Sequence, residues 1–336
     1  LRELMENKIK IGLVGAGAVA QVGYLPVIAE REDLVLEAVS ESNREKVEIL
    51  SRMYNIKKIF VDYEKMLQDS EIDVVIIATP NYLHTPMAIS AIEYGKNVLC
   101  EMPLGLDSKE VKRLGEVVDS SDLVLMPAFN GRFRPDVGIL KELVFGGELG
   151  KLSFAKAGWL KSLHEEHLDG WRRDPLKSGG GAIMTLGVQI LGYVTYLFGS
   201  DVSSVIAGFH TTDKIEDSGI VFLRYKDGKY LLLEVGWTLL FEKDFTYFNL
   251  YGSDGVGLLN PLKIKKLEDN KVKDITPINI PKHPVKASYH GLIDYFINAV
   301  RGKHLEENTW EDAYKIAKIV DAAYQSAEEK KEVHLD

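Results

Sequence analysis

The stretch Lys8 to Ala20, KIKIGLVGAGAVA, restricts the fold of this chain more than any other. An apolar run, Ile9 to Val14, breaks at Gly15, and Gly17 and Ala20 complete a G-x-G-x-x-A pattern. A strand turning into a helix gives each small residue a task. Gly15 permits the tight turn, Gly17 lets the backbone approach a pyrophosphate, and Ala20 lets helix and strand pack closely. Ala18 and Val19 then open a helix whose free N–H groups and positive dipole end suit phosphate. A second apolar run, Leu34 to Val39, ends at Ser40-Glu41, 21 residues beyond Ala20. A dinucleotide site needs an acid for the adenosine ribose at about that distance, roughly 20 residues on. Glu41 is the candidate.

Along the chain, strands and helices then alternate. The spacing predicts strands at 34–39, 59–61, 74–77, 97–100 and 123–127, with helices at 44–54, 63–68, 85–94 and 108–119. The run Val74-Val75-Ile76-Ile77 is continuous rather than alternating, as in a parallel strand covered on both faces. The pattern implies a doubly wound parallel sheet, whose ligands bind outside the carboxyl ends of the strands. Gly15, Glu41, Thr79-Pro80-Asn81 and Glu101-Met102-Pro103 all stand at such ends, with His84 just beyond the second turn. The texture changes after about Ala128. A helix at 135–145 and a strand at 151–160 lead into a long polar loop, 161–181, which holds His164, His167, Trp171, Arg172, Arg173 and Lys177. A loop of that length in a compact protein is usually functional or disordered. A helix at 185–197 follows, then strands at 202–209, 219–225, 230–238 and 245–251, with Asp227-Gly228 as a hairpin turn. Helices at 289–301 and 310–327 end the chain, the latter with Thr309 as its cap and Asp312 three residues on. Two domains are expected, 1–128 binding a dinucleotide and 129–336 serving substrate binding and oligomerisation.

Composition narrows the partners. The 336 residues carry 41 Lys and Arg against 50 Asp and Glu, and the net charge of −9 argues against nucleic acid. The single cysteine, Cys100, excludes an internal disulfide and a multi-cysteine metal site and fits a reducing compartment. No uninterrupted apolar run reaches the roughly 18 residues of a membrane span. LRELMENK lacks the apolar core of a signal peptide. A cytoplasmic protein with no metal and no membrane partner is expected.

GAGAVA at 15–20, TPNYLH at 79–84, CEMP at 100–103, NGRF at 130–133 and WRRDPLKSGGGA at 171–182 together resemble the glucose–fructose oxidoreductase / inositol dehydrogenase / rhizopine-catabolism (Gfo/Idh/MocA) oxidoreductases. The resemblance covers nearly the whole chain. It implies a Rossmann domain that binds NAD or NADP and a C-terminal α+β domain with a large open-faced, mostly antiparallel sheet. It also implies hydride transfer between the nicotinamide and a secondary alcohol of a sugar, polyol or derivative.

Three positions depart from that pattern. Met102 stands where the family's Glu-Lys-Pro has lysine, and Thr185 and Gln189 stand where many members have aspartate and histidine. A thioether cannot donate a proton, and an amide does not titrate near neutrality. The catalytic set is therefore open, with His84, Lys177, His164 and His167 as titratable candidates. Trp171 and Arg172 suit a polar ligand, by aromatic plane and guanidinium fork. The readings are an NAD(P)-dependent oxidoreductase with a rewired proton relay, a non-catalytic dinucleotide-binding sensor or assembly subunit, and an NAD-retaining lyase or glycosidase variant. Glu41 favours NAD over NADP, with Arg44 close enough to admit the latter. Tyr230-Leu231-Leu232-Leu233 and Phe245-Thr246-Tyr247-Phe248 put apolar groups on both faces of antiparallel strands, which predicts a homodimer or homotetramer through the sheet.

Overall fold

The structure is a computed structural model and describes residues 8–69, 71–162, 170–212, 214–238, 242–280 and 284–335. The chain divides into two compact units. The first comprises the described residues through Gly105, Lys109–Ala128 and Tyr289–Ala313, and so draws on sequence far beyond residue 128. The second comprises Leu106–Ser108, Phe129–Ser288 and the segment from Tyr314 onward.

Six strands form the sheet of the first unit: β1 (Ile9–Val14), β2 (Leu34–Ser40), β3 (Lys58–Phe60), β4 (Val74–Ile77), β5 (Asn97–Cys100) and β6 (Leu125–Pro127). Their order is β3-β2-β1-β4-β5-β6, and every pairing is parallel. Each residue of β4 is buried, which explains its unbroken apolar composition. Side chains such as Ile11, Leu13, Val75 and Leu99 are wholly inaccessible, and each contributes about 1.5–3 kcal/mol by leaving water. After β1 the chain coils as a π turn, Ala20–Tyr24, and continues without a break as helix Leu25–Ala29, which contains Pro26.

The second unit is built on nine strands: β7 (Leu152–Leu160), β8 (Val202–Thr212), β9 (Ile215–Tyr225), β10 (Tyr230–Gly236), β11 (Phe245–Gly252), β12 (Gly255–Leu259), β13 (Lys263–Glu268), β14 (Lys271–Asp274) and β15 (Val333–His334). The order is β14-β13-β12-β11-β7-β10-β9-β8-β15. All pairings are antiparallel except β10 with β7. Strands β12 to β15 were not expected from the sequence, because they are short and mostly polar or glycine-containing. Their turn signal is present, since Asp269 and Asn270 both take positive φ (53° and 58°) between β13 and β14. The expected loop at 161–181 contains a 3₁₀ turn, Gly170–Arg173, and a short helix, Pro175–Ser178; His164 and His167 lie outside the described residues.

Helical residues Ile183–Gly187 and Val188–Phe198 cover one face of the large sheet, and Leu231, Leu233 and Val235 of β10 are buried beneath them. Among the described residues, Pro175–Phe198 has the length and mean hydropathy of a membrane span, yet 78 % of its most apolar window is buried within the protein. It is a core element.

Candidate functional site

The parallel register brings the predicted residues of the first unit to one sheet edge. Val14 pairs with Ser40 and with Ile77, and Ile77 pairs with Cys100. Gly15, Glu41, Thr79 and Glu101 therefore emerge side by side. The last rungs lie just beyond the strands: Gly15 N–H donates to Ser40 O at 2.9 Å, Ala78 N–H to Val14 O at 2.8 Å, and Glu101 N–H to Ile77 O at 2.9 Å.

Gly15 has φ +87°, and a Cβ there would stand 2.5 Å from the Ala78 carbonyl oxygen, so only glycine fits. A Cβ on Gly17 would meet nothing within 4 Å. The turn is packed behind and open in front, which suits a pyrophosphate approaching the backbone. Glu41 closes the adjacent corner. Its Oε2 accepts from Ala16 N–H at 3.0 Å, and its Oε1 accepts from Asn43 N–H at 2.9 Å and from the Ser42 hydroxyl at 3.1 Å. Burial pushes its pKa up, but these donors and Lys46 outweigh it and hold the carboxyl below the usual range. Glu41 is thus an anion at neutral pH and is bonded to the glycine turn.

His84 is 1 % exposed, with Nδ1 2.6 Å from Pro103 O and Nε2 2.8 Å from Thr79 O. Burial lowers its pKa more than the two carbonyls raise it, and the neutral ring has one N–H, which it donates to one of these two carbonyl oxygens. Thr85 adds a bond from its hydroxyl to Leu104 O at 2.8 Å. This arrangement ties the Thr79-Pro80-Asn81 turn to the segment after Cys100, and it leaves His84 no ring nitrogen facing a ligand. Lys177 is exposed and ion-paired to Asp174 at 3.4 Å. Cys100 is buried, and burial raises its thiol pKa, in keeping with packing.

A polar pair that the sequence did not flag lies beside Met102. The hydroxyl of Tyr24, itself 0 % exposed, donates to Glu101 Oε1 at 2.6 Å. Burial pushes the Glu101 carboxyl up to about 7, against the opposing pull of Tyr24 and of the Met102 N–H. Tyr289 packs edge-on against Tyr24 (ring centroids 5.3 Å apart, 79° between planes), where a Cβ on Gly23 would stand 2.4 Å from its ring.

In the second unit, Thr185 and Gln189 are the two partly accessible residues in the otherwise buried run 181–192, four apart on one helical face. The triple glycine before them has a steric cause. Glu216 Oε1 accepts from Gly181 N–H at 2.8 Å, Ile183 N–H at 3.0 Å and the Tyr324 hydroxyl at 2.7 Å. A Cβ on Gly180 would lie 1.9 Å from the Tyr324 hydroxyl oxygen, and one on Gly181 would lie 1.9 Å from Glu216 O. Glu216 and Tyr324 escaped notice in the sequence because nothing local marks a partner more than thirty residues away. The Arg172 guanidinium lies over the Trp171 ring, 4.4 Å from its centroid, so these two candidates pack against each other.

Residues 9–129 match the oxidoreductase family NAD-binding Rossmann fold, and residues 141–335 match the same family's C-terminal alpha/beta domain. The chain belongs to the Gfo/Idh/MocA oxidoreductase family. Among relatives of this family member, the D-glucoside 3-dehydrogenase of Escherichia coli (strain K12) is 27 % identical over 99 % of each chain. The myo-inositol 2-dehydrogenase of Thermotoga maritima is 22 % identical over 98 % of this chain and 99 % of the other. Levoglucosan dehydrogenase, solved in complex with NADH and L-sorbose, superposes with a TM-score of 0.88 at 23 % identity, covering 98 % of this chain and 99 % of that one. At that identity the likeness is one of fold.

Proposed function

We propose that this family member is an NAD-dependent dehydrogenase that oxidises a secondary hydroxyl of a cyclic sugar, glucoside or polyol. The observation that carries the reading is the strand-end arrangement of Gly15, Gly17 and the ionised Glu41, packed behind and open in front. Relatives named for D-glucosides, levoglucosan and inositols supply the substrate class. Gly15, Gly17, Ala18 and Val19 would receive the pyrophosphate, and Glu41 the adenosine ribose, with Thr79, Pro80, Asn81, Glu101 and Met102 completing the binding set of the first unit; Trp171 and Arg172 are the polar-ligand candidates of the second. NAD, when bound, accepts a hydride from carbon. His84 is buried between the two loops that flank the site and bonds one of them. Glu101, with Tyr24, holds a proton at its carboxyl near neutral pH. A homo-oligomer through the large sheet and a cytoplasmic location complete the proposal.

A second reading, a dinucleotide-binding member without dehydrogenase activity, is favoured by the side chains at the family's catalytic positions. Met102 is 7 % exposed and carries no proton, and neither Thr185 nor Gln189 titrates near neutrality. A positioned acid or base is worth about 10²–10⁴ in rate. Formation of NADH from levoglucosan, methyl glucosides and inositols separates the two readings. Turnover by the wild-type chain supports the dehydrogenase. Tight NAD binding with no turnover on the whole panel supports the other. In the latter case Met102→Lys alone is expected to stay inactive. Groups that act as a unit are non-additive, so recovery would require Met102→Lys, Thr185→Asp and Gln189→His together.

A further inference from the structure

The first turn of the helix after β2, Arg44–Tyr54, carries two cations with different surroundings. Arg44 is turned outward, its side chain 82 % exposed and its Nε donating to Glu48 Oε1 at 3.1 Å. Lys46 is turned inward. Its Nζ lies 3.4 Å from Glu41 Oε2, and its backbone N–H is held by the Asn43 side chain at 3.0 Å. Glu41 itself cannot swing away without losing the N–H groups of Ala16 and Asn43. The ribose-binding corner is therefore a fixed carboxylate with a flexible ammonium beside it, rather than an isolated negative charge. A 2′-phosphate entering there meets repulsion from Glu41 and attraction from Lys46, and an ammonium 37 % exposed on a four-carbon stem can shift its contact from one oxyanion to the other.

We propose that Lys46, not Arg44, sets the cofactor choice of this chain: its ammonium offsets the Glu41 carboxylate and gives a 2′-phosphate a cationic partner, so that NADP is accepted as the weaker of two cofactors. The proposal rests on the reading of this edge as the dinucleotide site. It separates the two roles that one acid usually plays there, since Glu41 secures the glycine turn while Lys46 tunes its charge.

Calorimetric titration of the full chain with NAD and with NADP tests it, with no substrate needed. Lys46→Ala is expected to weaken NADP about tenfold while moving NAD by less than about twofold. Lys46→Arg is expected to retain NADP, and Arg44→Ala to leave both nucleotides unchanged. The wild-type affinity for NADP is also expected to fall more steeply with salt than that for NAD. An unchanged NADP-to-NAD ratio in Lys46→Ala overturns the proposal, as does an equal loss of both nucleotides, which would make Lys46 a support for Glu41 only. Loss of NADP in Arg44→Ala, or wild-type protein that binds NAD and rejects NADP, overturns it too. Failure of both nucleotides to bind the wild-type chain would instead remove the dinucleotide reading on which it stands.

Discussion

Glu101 illustrates how a single side chain makes a site sensitive to pH. Its carboxyl titrates near 7 in the folded chain, well above the ordinary glutamate value, because burial outweighs the Tyr24 hydroxyl and the Met102 N–H. The native state therefore keeps a proton that the unfolded chain releases between about pH 4.5 and 7, and stability falls as pH rises through that window by up to about 1.4 kcal/mol per pH unit. Comparing thermal midpoints of wild type and Glu101→Gln from pH 5 to 8 checks this: the wild type is expected to lose stability relative to the variant as pH rises, and parallel curves would refute it. Tyr24→Phe removes a donor from the carboxylate, so it is expected to move the transition to higher pH and to cost about 1–3 kcal/mol above it.

At a few positions a glycine marks where two elements approach too closely for a side chain. A Cβ at Gly180 would add contact with the Tyr324 hydroxyl to a backbone φ of +147°, so Gly180→Ala is expected to cost about 2–4 kcal/mol. Denaturant titration would read the loss, and a change below about 0.5 kcal/mol would show that Tyr324 can simply move aside. The same residues show what was legible beforehand. The glycine-rich turn, Glu41, the parallel strands and their shared edge could all be read because hydrophobic period and turn chemistry are local. The partners of Gly23 and Gly180 could not, since Tyr289 and Tyr324 are brought in only by folding. The surroundings of His84 were hidden for a related reason: an isolated histidine after a turn gives no hint that two carbonyl oxygens will lie beside its ring. Lys46 and Arg44 look equivalent in sequence, and only helix direction tells them apart.

At the scale of the molecule, the large sheet carries two kinds of face. Helical residues 183–198 cover one. On the other, Tyr251 stacks on Phe154 (5.4 Å between centroids), Phe154 meets Tyr230 (5.3 Å), and Tyr230 meets Phe222 (5.8 Å), an aromatic row running across four strands. Ile220 and Tyr230 on that face are 53 % and 44 % exposed. This apolar expanse supports the proposed association of chains through the sheet. Light scattering is expected to give a multiple of 37.6 kDa for the wild type and to approach a single chain for Tyr230→Glu; a wild-type monomer at micromolar concentration would overturn the assembly. The first unit has a different dependence on the rest of the chain. It is finished by residues from Tyr289 to Ala313: Tyr289 seals Tyr24, and Trp310 lies over Gly115, where a Cβ would come within 2.3 Å of its ring, and donates to Asp119 Oδ1 at 3.0 Å. Domains emerging from a ribosome generally fold as units, in the order they are made. Here the leading βα segments must wait for more than 150 residues of intervening sequence before their packing is complete, so a nascent chain halted near residue 130 would carry its nucleotide-binding turn on a scaffold still missing a wall.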